Sequence, residues 1–119
     1  MQYMLMLYVN EAGFAQATPD QQAQGVAAYK AFTEALKNAG ALSAVGRLQP
    51  SPTATTLRLA DNGKPKVLNG PYAETKEQFG GYYVIDVPDL DAALSWAARC
   101  PTADHGTVEV RPLFVPPPA

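Results

Sequence analysis

The sequence predicts an α+β fold, an antiparallel sheet with two helices on one face in the ferredoxin-like split βαβ order, and three observations predict it. Strongly apolar, strand-like runs open the chain at residues 3–9 and recur at 82–87. Two segments with helix-start chemistry, at about 18–39 and 90–99, separate the strand-like ones. With 119 residues, 47% hydrophobic and 17% charged, the chain has material for one core, and residues 1–119 read as one domain ending in a proline-rich tail at 113–119. The order strand, helix, strands, strand, helix, strand then closes with short connections.

Tyr3 to Val9 is almost continuously apolar and reads as a central strand buried on both faces. Gly13 breaks the pattern between Asn10 and Ala17. Thr18 can cap a helix, Pro19 suits its first turn, Asp20 favours the positive end of the dipole, and Gln21 completes a capping box. Val26, Tyr29, Phe32, Leu36 and Ala39 form the apolar stripe of that helix, and Gly40 stands where a left-handed cap is wanted. Leu42 to Val45 is a second strand, with Pro50 and Pro52 marking an edge or bend. Thr53 to Ala60 alternates, and the turn Asp61-Asn62-Gly63-Lys64 leads into Lys66-Val67-Leu68, which predicts a hairpin. Asn69 to Gln78 has neither period and reads as a polar loop. Gly80-Gly81 before Tyr82 to Val87 predicts close backbone approach or a bulge. Asp89 caps a short helix with Leu90, Ala93, Leu94 and Ala97 on one face; Thr107 to Arg111 is the last strand.

A formal net charge of -2 with few charged groups argues against a nucleic-acid-coating or disordered chain, so no direct nucleic-acid partner is expected. One cysteine and one histidine cannot supply a four-ligand zinc or iron–sulfur site, and no metal is expected. Phosphate-loop and dinucleotide spacings are missing, and no cofactor is expected. The apolar N-terminal run lacks a preceding basic cluster and falls short of the roughly 20 residues of a membrane span, so the expectation is a cytoplasmic protein without a membrane partner. A sheet with one face left bare in a chain this short implies a covering subunit, hence a homodimer with pockets between the sheets.

The ionisable groups that could carry chemistry are few. His105, beside Asp104 in a loop, is the one side chain that titrates near neutrality; it reads either as a general acid or base or as a locally bonded loop histidine. Glu109 and Arg111 share one face of the last strand because the side-chain period is two. They can hold a polar or anionic ligand, or form an ion pair in solvent or at an interface. Glu74, Lys76 and Glu77 put opposite charges close together in a loop, as a site or as a solvated segment. Tyr72 follows a Gly-Pro turn and can present its phenol to a ligand or pack at an interface. Cys100, at the end of a helix, reads as structural rather than nucleophilic.

The run Asn69-Gly70-Pro71-Tyr72-Ala73-Glu74-Thr75-Lys76-Glu77-Gln78-Phe79-Gly80-Gly81-Tyr82, with Gly106-Thr107-Val108-Glu109-Val110-Arg111-Pro112-Leu113, resembles the YCII-related family, in particular its DGPF-domain branch. Asn69 stands where that branch has aspartate and Tyr72 where it has phenylalanine. The resemblance implies a ferredoxin-like domain dimerising through its sheets, as in the dimeric α/β-barrel superfamily. It also implies association of some members with sigma factors, and a dehydrochlorinase activity on a hydroxylated aromatic in a related protein. A His/Asp pair proposed for the YCII type would have His105 as its only candidate histidine. Two functions follow as expectations. One is a module binding a small polar ligand between sheet and partner subunit, accessory to a transcription regulator, through Tyr72, Glu74, Lys76 and Arg111. The other is a cofactor-independent lyase or isomerase with His105 as general acid or base, Glu74 or Glu109 tuning it and Arg111 orienting an anionic substrate.

Overall fold

The computed structural model describes residues 1–73 and 75–118. Strand β1 spans Gln2–Val9, helix α1 Glu11–Ala15, helix α2 Pro19–Asn38 and strand β2 Leu42–Arg47. Strands β3 (Thr55–Leu59) and β4 (Pro65–Asn69) follow, then β5 (Gln78–Asp86), helix α3 (Leu90–Arg99) and β6 (Thr107–Pro112). Four strands form an antiparallel sheet in the order β2-β5-β1-β6, so the two longest and most apolar strands lie at its centre. That order is the split βαβ arrangement, with β5 inserted between the strands that α2 connects.

Helix α2 begins as the sequence dictates. The Thr18 side chain accepts from the Gln21 amide at 3.1 Å and the Gln21 side chain accepts from the Thr18 amide at 3.0 Å, the reciprocal bonds of a capping box. Gly40, at φ +68°, turns the chain out of the helix in a conformation that a side chain would strain. Asp89 caps α3 through the Ala92 amide. One face of the sheet, bearing Tyr3, Leu5, Leu7, Tyr83 and Ile85, packs on Phe32 and Leu36 of α2 and Ala93 and Ala97 of α3. A hydroxyl chain ties this core to the segment after α3. The Tyr29 and Thr102 hydroxyls are 2.5 Å apart, and Thr33 lies 2.8 Å from the Tyr83 hydroxyl while donating to the Tyr29 carbonyl. Cys100 is buried beside it, and burial pushes its thiol up, which suits a structural cysteine and not a nucleophile.

Several expectations need correction. Helix α1 occupies the stretch where Gly13 suggested a break, capped by Asn10, whose side chain accepts from the Gly13 amide at 3.1 Å. The α2 stripe is narrower than its spacing implies: Phe32 and Leu36 are buried, Tyr29 is half-buried, and Val26 and Ala39 face solvent. In α3, Ala93 and Ala97 face the core while Leu90 and Leu94 are exposed. Strand β1 is buried on one face only. Tyr3, Leu5 and Leu7 are covered, whereas Met4, Met6 and Tyr8 on the other face are half-buried. The predicted hairpin is present, but β3 and β4 pair only with each other as a separate two-stranded sheet. The Gly80-Gly81 pair sits where backbones crowd: a β-carbon on Gly81 would lie 2.8 Å from the Gly46 carbonyl, and the ladder to β1 shifts register between Leu7 and Tyr8.

Candidate functional site

The sheet face that the helices leave open is apolar at its centre and polar along one edge. Cross-strand partners share a face, so the register places Met4, Met6 and Tyr8 of β1 beside Val84 and Tyr82 of β5. On the other side of β1 the same face carries Thr107, Glu109 and Arg111 of β6. Val108 and Val110 point to the core instead. The ring of Tyr82 lies against Gly46 of β2, where a β-carbon would fall 2.6 Å from it.

Three polar side chains meet on this face. Glu109 accepts from the Arg111 Nε at 2.5 Å and from the Tyr8 hydroxyl at 3.3 Å. Desolvation and the neighbouring carboxylate hold the Tyr8 phenol above the usual tyrosine value, so near neutrality it is a proton donor. The bond to Glu109 pushes the Arg111 guanidinium up, keeping it fully charged. Arg111 is mostly exposed, and its guanidinium has further N–H groups available to a carboxylate or an ionised hydroxyl. The Tyr8 ring rests against Phe79 at 5.6 Å, which fixes the phenol from its apolar side.

A second set of bonds fastens the polar loop before β5 to this edge. Thr107 donates to the Glu77 carboxylate at 2.7 Å, Thr75 donates to the Glu77 carbonyl, and the Gln78 side chain donates to the Thr75 carbonyl at 2.7 Å. The Gln78 side-chain oxygen in turn accepts from the Glu11 amide, and the Glu11 carboxylate accepts from the amide and hydroxyl of Ser51. Helix α1, the turn at 51–53 and the loop are thereby cross-braced at the end of the sheet where Tyr8 sits.

The structure brings together two of the residues expected to carry chemistry, Glu109 and Arg111. Lys76 lies exposed in the braced loop, next to Glu77. Tyr72 is 75% exposed near the base of the β3–β4 hairpin, its ring 5.8 Å from the Arg58 guanidinium. His105 is exposed in the turn before β6; its backbone amide donates to the Thr102 carbonyl, and its side chain has no hydrogen-bond partner among the described residues. Glu109 is engaged by Tyr8 and Arg111 rather than by His105. Glu74 lies outside the described residues. Tyr8 and Thr107 were not among the expected site residues, and Glu77 was weighed only together with its own loop. Tyr8 looks like core in an apolar run, and only the β1–β6 register sets it opposite Thr107 and within reach of Glu109. No group of three or more His, Cys, Asp or Glu side chains that could hold a metal ion occurs among the described residues.

A four-stranded antiparallel sheet with paired helices on one face and a polar edge on the other defines a ferredoxin-like α+β domain. The chain belongs to the YCII-related domain family, whose model matches residues 1–115. It is 36% identical over 115 residues to an uncharacterised protein of Rhizobium meliloti (strain 1021), a match spanning 95% of this chain and 92% of that one. Its fold is similar to that of 5-chloro-2-hydroxyhydroquinone dehydrochlorinase from Burkholderia phenoliruptrix AC1100, solved in complex with 2,5-dihydroxybenzoquinone. That likeness has a TM-score of 0.55 at 14% identity and covers 96% of this chain and 94% of that one. Among the described residues, no helix is long and apolar enough to cross a membrane.

Proposed function

We propose that this YCII-related chain binds a small, polar, anionic compound on the open face of its sheet, in a pocket completed by a second subunit. The observation that carries the reading is the Tyr8–Glu109–Arg111 cluster, a phenol donor and a guanidinium held by one carboxylate beside an apolar sheet centre. Such a face suits a planar ring with ionised oxygens: Met4, Met6 and Tyr82 can flank the ring, while Arg111 and the Tyr8 hydroxyl engage its oxygens. A partner subunit over this face would exclude water and strengthen those contacts. Lys76, on the loop braced to Thr107, adds a second cation near the same edge.

The test is calorimetric titration with 2,5-dihydroxybenzoquinone, the compound bound in the structurally similar dehydrochlorinase, with small aromatic carboxylates alongside. Wild-type protein is expected to bind at least one of them, and Arg111→Met to weaken that binding at least tenfold while leaving the circular dichroism spectrum unchanged. Absence of wild-type binding to all of them, or equal affinity in Arg111→Met, sinks the reading.

A second reading, a cofactor-independent lyase, is favoured by the Tyr8–Glu109 hydrogen bond, because a protonated phenol on a carboxylate is an acid–base pair. His105 would supply a further proton carrier if the pairing of subunits brings it to that edge. Chloride release from 5-chloro-2-hydroxyhydroquinone by the wild type, lost in both His105→Gln and Glu109→Gln, is the expected result; no release by the wild type excludes the lyase, and activity retained by both variants excludes these residues as its acid and base. Membership of the DGPF branch, a cytoplasmic location and association with a sigma factor rest on the sequence resemblance and stand as proposals with it.

A further inference from the structure

The β3–β4 hairpin is built as a two-faced arm. Its register sets Leu57 opposite Val67 and Leu59 opposite Pro65 on one face, and Arg58 opposite Lys66 and Thr56 opposite Leu68 on the other. Leu57, Leu59 and Val67 are 60%, 66% and 56% exposed, an apolar face with nothing of its own chain upon it. Every hydrogen bond made by residues 55–69 among the described residues stays within residues 54–70. An isolated two-stranded hairpin is marginal in water, so this arm needs a surface to lie on.

Two observations identify that surface as another copy of the same chain. The radius of gyration is 16.8 Å, whereas a compact chain of this length has about 13.5 Å, as expected when the arm, with the exposed C-terminal tail, reaches away from the core. Charge is also segregated. Residues 55–69 hold the basic Arg58, Lys64 and Lys66 against the acidic Asp61, while the other residues of the chain hold 6 basic and 10 acidic side chains. A basic arm and an acidic body in one sequence are complementary only between copies when the arm does not fold back.

We infer that the β3–β4 hairpin is a docking arm, its Leu57–Leu59–Val67 face seated on the body of a second copy of this chain. Docking buries the apolar face, and the net positive charge of the arm draws it toward the acidic body, so association weakens as salt rises.

Sedimentation velocity over a concentration series, on the full chain, reads this directly. The wild type is expected to dimerise, and Leu57→Ser/Val67→Ser to raise the dissociation constant at least tenfold. Val26→Ser/Leu94→Ser, on exposed helix surfaces, is expected to leave it unchanged. These are surface positions, and the circular dichroism spectrum of each variant checks that the body remains folded. Isotope-filtered spectra of a mixed labelled and unlabelled sample should show contacts from the Leu57, Leu59 and Val67 methyls to the other copy. A monomeric wild type, an unchanged dissociation constant in the Leu57/Val67 variant, or arm methyls without intermolecular contacts overturns the inference. The last two results leave the open-face ligand reading standing, since that is read by calorimetry on Arg111→Met, whereas a monomeric wild type also removes the second subunit from that reading.

Discussion

Glu109 is the residue on which the candidate site turns, because it gathers Tyr8 and Arg111 onto one spot. Its face was legible from the two-residue period of β6; its partner Tyr8 was not, because that contact depends on which strand pairs with β6 and in which register. The Glu77–Thr107 bond was hidden for the same reason, lying 30 positions apart in sequence. His105 shows the reverse limit: adjacency to Asp104 said nothing of where its ring would point. In the core, Thr102 is the polar residue with most to lose, being fully buried with its hydroxyl on Tyr29. Thr102→Val keeps the shape and leaves the Tyr29 hydroxyl without that partner, so urea unfolding should show a loss of about 1–2 kcal/mol. A loss below the error of the fit would mean that water replaces the bond.

At the scale of elements, the start of α2 was written out in full by Thr18-Pro19-Asp20-Gln21, since capping is local chemistry between residues three apart. Thr18→Ala removes one arm of the capping box and should cost about 1 kcal/mol in the same unfolding experiment. Helix α1 escaped notice because five residues cannot display a period, and its Gly13 argues against a helix. The inward face of α3 was blurred by leucine content: spacing put Leu90, Ala93, Leu94 and Ala97 on one face together, whereas close packing on the sheet buried only the small Ala93 and Ala97. The hairpin was readable from its turn residues, but its separation from the main sheet was not, as alternation specifies a strand without specifying its neighbour.

The whole molecule is a layer of helices on a sheet with one open face and one projecting arm, measuring 52 × 50 × 18 Å. Its stability should fall in alkali. Burial raises Tyr29, Tyr83 and Cys100 above ordinary values of 10.0 and 9.0, and desolvation with Glu109 raises Tyr8. The native state therefore keeps protons that the unfolded chain has begun to release. Stability is full below about pH 9 and declines as pH rises through the thiol and phenol range. Unfolding midpoints in urea at pH 7.5 and 10.5 should differ in that direction, and a constant midpoint contradicts it. The burial alternation of β1 marks the open face: of an apolar run long enough for two covered faces only one is covered within the chain, and Met4 and Met6 mark the other. The chain has three methionines, Met1, Met4 and Met6, so a methyl-labelled methionine spectrum holds three signals, two of them from the open face. When a ligand identified by calorimetry is added, Met6, paired across the strand with Glu109, should shift most, and Met1 at the far end of β1 least. A Met6 signal that stays fixed at saturating ligand would place binding elsewhere on the molecule and contradict the open sheet face as the site.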